Sequence, residues 1–106
     1  MGKRNKILKQ IIKVVNENAP DSEVYLYGSR AKGTAKKFSD WDLLILLNRP
    51  RISHALETKF MDDFYELELE TGEIISPLIY SKKVWNDKYP ITPLFESIKI
   101  EGIKLK

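Results

Sequence analysis

Residues 25–47 read YLYGSRAKGTAKKFSDWDLLILL, and this stretch decides how the rest of the chain is read. The residues from 23 to 27 alternate and favour β-structure, which predicts a strand ending at Gly28. Glycine there lets backbone approach a ligand closely, and Ser29 offers a hydroxyl beside N–H groups that can open a short helix, a suitable cradle for phosphate. Ten residues separate Ser29 from Asp40-Trp41-Asp42, which leads into the apolar run 43–47. Residues two apart on a strand share a face, so Asp40 and Asp42 project together while Trp41 points away. Two carboxylates at a strand mouth, facing a Gly-Ser turn, form a candidate Mg²⁺–nucleotide site.

Gly28 and Gly33 also have the glycine spacing of a P-loop, but Thr34 stands where that loop needs its lysine. The Gly-Ser, ten-residue, Asp-x-Asp spacing instead resembles the polymerase-β-like nucleotidyltransferase superfamily. The fuller wording YGSRAKGTAKKFSDWDLLILL is similar to its minimal nucleotidyltransferases, small domains that often serve as antitoxins to a helical HEPN protein. The close match covers about a fifth of the chain.

The resemblance implies an α/β (α+β) nucleotidyltransferase fold, a small mixed sheet flanked by helices. It implies transfer of a nucleoside monophosphate from a triphosphate, ATP first, to a hydroxyl such as a tyrosine of a HEPN toxin. Asp40 and Asp42 would be catalytic and would hold Mg²⁺ or Mn²⁺, while Gly28, Ser29 and Arg30 would bind the nucleotide. Family members that catalyse place a third carboxylate on the following strand, where this chain has Ser76. Glu73 begins that strand and is the candidate third metal ligand, reaching the site through a bulge because alternation points it to the other face. The alternative is a nucleotide-binding antitoxin module that acts by docking, with little or no transfer.

The whole chain agrees with a small globular protein. A length of 106 residues predicts a single domain, 1–106, with one modest core. The absence of cysteine removes disulfides and thiolate sites and is compatible with a reducing compartment. No apolar run reaches membrane-spanning length, and MGKRNKILKQ lacks a signal-peptide core, so the expected location is the cytoplasm, with no membrane partner. The net charge is only +3, with Lys3, Arg4 and Lys6 at the start and Arg30, Lys32, Lys36 and Lys37 around the motif. That distribution favours a nucleotide over a nucleic-acid polymer.

In order, Ile7, Leu8, Ile11, Ile12, Val14 and Val15 predict an amphipathic helix over Lys3–Asn18, ended by Pro20. Phe38 is expected to tuck under the basic loop. Residues 41–48 read as a central strand, being apolar on both faces. Ser53 caps a helix running to about Glu70, with Leu56, Phe60, Met61, Phe64 and Leu67 in the core and Asp62, Asp63, Glu66 and Glu70 mainly in solvent. His54 takes no catalytic role. Residues 73–81 predict a third strand that Pro77 assigns to an edge or a bulge, then a short helical turn over residues 82–88 and a last helix from Pro93. The expected order is α-β-β-α-β-α. Trp85, Tyr89 and Phe95 are candidates either for an interface or for covering the sheet.

Overall fold

The structure is a computed structural model that describes residues 2–106; Met1 and the side chain of Lys3, part of the basic cluster noted above, lie outside the description. The chain runs α1 (Lys3–Asn18), β1 (Glu23–Tyr27), α2 (Ser29–Lys32), β2 (Trp41–Leu47), α3 (His54–Thr71), β3 (Ile75–Ser81), α4 (Lys82–Lys88), α5 (Pro93–Glu101) and β4 (Ile103–Lys104). The strands form one mixed sheet in the order β3-β2-β1-β4. β1 is antiparallel to β2 and to β4, whereas β2 and β3 are parallel. A parallel pair needs a long crossover, and α3 supplies it. The expected α/β architecture is therefore present, with β3 at an edge, one of the two places Pro77 allows.

Cover on both faces explains the continuous apolar run of β2. Leu43, Ile45 and Leu47 join Val24, Leu26 and Ile75 in a core with α1 and α3, through Ile7, Ile11, Val15, Phe60 and Phe64. Leu44 and Leu46 point the other way, into a second cluster with Trp85 and Ile98 of α4 and α5. The Trp85 ring packs 5.3–5.4 Å from those of Tyr80, Tyr89 and Phe95. The aromatics of the last third therefore cover the sheet, and Trp85 is buried.

α3 begins where the Ser53 hydroxyl accepts the Leu56 N–H at 3.1 Å, and it ends at Gly72, whose left-handed φ of 74° suits glycine. Phe60, Phe64 and Leu67 are buried as expected, but Met61 is not: it is 45% exposed and shares an outward stripe with Tyr65 and Leu69 at four-residue spacing. Phe38 is also corrected, being 74% exposed. The turn at residues 36–39 closes on itself through Ser39 N–H to Lys36 O and Lys36 N–H to Ser39 Oγ, which leaves the ring outside beneath the Lys37 ammonium. Among the described residues, no helix is long and apolar enough to cross a membrane.

Candidate functional site

The site forms where β1 ends and β2 begins. Sheet register places Asp42 of β2 opposite Tyr27 of β1 and beside Ser76 of β3, three side chains on the face shared with Leu44 and Leu46. Gly28 follows Tyr27 with φ 72° and ψ −157°, a conformation essentially confined to glycine. A Cβ at Gly28 would lie 2.4 Å from Asp42 Oδ2, so glycine also makes room for that carboxylate. α2 then starts at Ser29, and the Ala31 and Lys32 N–H groups both donate to Gly28 O at 3.1 Å. The Gly-Ser turn and Asp42 are thus brought together as the sequence predicts.

Asp40, just before β2, belongs to the same group. Ser76 Oγ donates to Asp40 Oδ2 at 2.7 Å, which links β3 to the Asp-x-Asp segment. Burial raises the Asp42 carboxyl above its ordinary value, and the Asp40 charge pushes it further in the same direction. Burial, the Asp42 charge and Tyr80 push the Tyr27 hydroxyl up to about 12. Two crowded oxygen donors fit a hard divalent cation, since Mg²⁺ is commonly held by one or two carboxylates together with substrate phosphates.

Glu73 departs from expectation, and Arg30 is held by groups of its own chain. Glu73 Oε1 accepts the Trp41 indole N–H at 2.8 Å and lies 3.7 Å from an Arg30 guanidinium nitrogen. Trp41 projects from the face opposite Asp42, so Glu73 stands behind the strand rather than with Asp40 and Asp42. No bulge brings it round: the parallel pairing of β2 and β3 is continuous from Trp41 with Ile75 to Leu47 with Ser81. No group of three or more His, Cys, Asp or Glu gathers for a metal among the described residues. Arg30, expected on the nucleotide, stacks 4.4 Å over the Trp41 ring and donates to Ser39 O at 2.9 Å.

Sequence reasoning missed two partners. One is Ser76, identified as a missing carboxylate but not as a hydrogen-bond donor to Asp40. The other is Trp41, whose alternation away from the aspartates was legible but whose indole N–H needed an acceptor.

A family model described as "Nucleotidyltransferase domain" matches residues 8–101. Over 37 residues the chain is 46% identical to a protein named "Probable protein adenylyltransferase MntA" from Haemophilus influenzae. That alignment covers 35% of this chain and 32% of the relative, so it spans about a third of that protein's length. Among solved structures, one described as a toxin-antitoxin with AMP-PNP superposes with a TM-score of 0.67 at 19% identity, covering 93% of this chain and 72% of the other. A tri-AMPylated Shewanella oneidensis HEPN toxin in complex with MNT antitoxin gives 0.64 at 16% identity, covering 98% and 72%. At these identities the structural likeness speaks to the fold, which it shares.

Proposed function

Since the chain belongs to the nucleotidyltransferase domain family, we propose that it transfers a nucleoside monophosphate, from ATP in the first instance, to a hydroxyl acceptor on a HEPN-type toxin partner in the cytoplasm. The acceptor, on this reading, is a tyrosine. Its oxygen bonds to the α-phosphorus as the bond to pyrophosphate breaks, and the hydroxyl proton is released. The observation that carries this reading is the seating of Asp42 against Gly28, with Asp40 held beside it by Ser76. Asp40 and Asp42 would hold Mg²⁺ or Mn²⁺, which when bound offsets charge on the phosphoryl oxygens and the leaving group. Gly28 and Ser29 bring backbone N–H groups and a hydroxyl to the phosphates. The names of the similar proteins, an adenylyltransferase and antitoxins with AMP-bearing or AMP-PNP complexes, support the choice of ATP and of the partner.

A second reading has a specific observation in its favour. Ser76, not a carboxylate, lies beside Asp42, and Glu73 is engaged behind the strand. A domain built this way binds nucleotide and neutralises its partner by docking, with weak transfer. Incubation with labelled ATP, Mg²⁺ or Mn²⁺ and a HEPN-type protein of the same genome separates the two. Label appearing on the partner, and lost in a folded Asp42→Asn variant, supports transfer. Tight partner binding without label supports docking.

A further inference from the structure

We infer that Arg30 is a positioning residue: stacked on Trp41 and held near Glu73, it fixes the distance between the Gly-Ser turn and the Asp-x-Asp segment and thereby sets the affinity of the site. The inference rests on the nucleotide-binding reading above for its ligand, but not for its geometry. Three members of the clamp are adjacent in sequence to site residues. Arg30 follows Ser29, Ser39 precedes Asp40, and Trp41 lies between Asp40 and Asp42.

The guanidinium bridges these two segments from behind the strand. One nitrogen donates to Ser39 O at 2.9 Å while the plane lies 4.4 Å over the Trp41 ring. Glu73 fixes the other side of Trp41 by accepting its indole N–H at 2.8 Å, and the same oxygen is 3.7 Å from Arg30. Arg4 in turn donates to the Arg30 carbonyl at 3.0 Å, tying α1 to α2. The side chains of Arg30 and Glu73 are only 16% and 10% exposed, so water screens their attraction weakly. A planar, permanently charged group can stack and donate at once, which a lysine ammonium cannot. Slack of about an ångström between the two segments is enough to cost about a hundredfold in a positioned site.

The test compares Arg30→Met and Arg30→Lys with the parent. Amide hydrogen exchange without ligand reads the clamp directly. In Arg30→Met, exchange at Ala31, Lys32 and Asp42 should accelerate about tenfold or more, with Leu46 and Ile98 unchanged. Titration with Mn²⁺ and a non-hydrolysable ATP analogue should show affinity falling about tenfold or more, with Arg30→Lys recovering only part of it. If Arg30→Met fails to fold, Glu73→Gln gives the same readouts, with the Trp41 indole N–H resonance displaced. Exchange and affinity within about twofold of the parent in the folded variant would overturn the inference. Failure of the parent itself to bind Mn²⁺ and nucleotide would overturn the proposed function instead, and the exchange measurement would still decide the clamp.

Discussion

Asp42 occupies space that a side chain at Gly28 would need: a Cβ there would fall 2.4 Å from Asp42 Oδ2. The contact is between the last residue before α2 and a carboxylate of β2, so the Gly-Ser turn and the candidate metal ligand are seated as one unit. Gly28→Ala meets this clash and must also hold φ 72° with ψ −157°. Such a conformation costs a non-glycine residue about 1–3 kcal/mol. Urea unfolding should show a loss of that size, and Mn²⁺ binding should fall with it. Retention of both parent stability and Mn²⁺ affinity would show that the turn relaxes freely.

Asp42 and Glu23 should give pH dependences of opposite sign. Burial first, and then the Asp40 charge, raises the Asp42 carboxyl above 3.8. The folded chain therefore keeps that proton where the unfolded chain has lost it, and Asp42's contribution to stability falls as pH rises through the folded value. Asp42→Asn should raise the urea midpoint at pH 7, with the gain closing in acid. Glu23 is held below 4.5, chiefly by its hydrogen bond from Lys82, with Tyr25 and the nearby Lys104 acting in the same direction against burial. Its stabilising contribution is present above the unfolded value and is lost as pH falls through the folded one, so Glu23→Gln should cost stability at pH 7 and not in strong acid.

Periodicity made most of this fold readable, because β2 is apolar on both faces and α1 on one stripe. The Gly-Ser and Asp-x-Asp spacing likewise marked the residues that meet at the site. What alternation alone could not give was the choice of partner behind the strand. The three-residue offset from Ser76 points Glu73 to the far face, and the continuous pairing of β2 with β3 does not turn it toward Asp40 and Asp42. Only the packed structure shows that Trp41 and Arg30 await it there, because that contact joins residues 32 to 43 positions apart. Phe38 and Met61 depart from expectation for another reason: hydrophobicity speaks to cost of exposure, not to whether a short loop or a helix flank reaches the core.

Two neighbouring residues of α3 test that distinction. Phe60 is fully buried and stacks on Phe64 at 6.1 Å, whereas Met61 is 45% exposed. Phe60→Ala should cost about 3–5 kcal/mol, enough to unfold much of a marginal small domain. Met61→Ala should stay within about 0.5 kcal/mol of the parent. Equal losses in chemical denaturation would mean that the exposed stripe of Met61, Tyr65 and Leu69 is not free surface in solution.

Ser76 offers the most direct probe of the Asp40 and Asp42 pair. It pairs with Asp42 across parallel strands and donates to Asp40, so an aspartate at this position enters the same small volume as the other two. Ser76→Ala only removes the hydrogen bond, at a cost of about 1.5–3 kcal/mol because the acceptor is charged. Ser76→Asp adds a third like charge instead. Without divalent cations its urea midpoint should fall further than that of Ser76→Ala at pH 7, and acidification should recover part of the loss as a carboxylate protonates. Mn²⁺ should recover more of it, with affinity rising roughly tenfold over the parent as the donor charge increases. Transfer of label from ATP should rise in the same variant if the missing charge limits the reaction. A midpoint insensitive to both Mn²⁺ and acid would place position 76 outside the shared site and leave its serine a purely structural donor to Asp40.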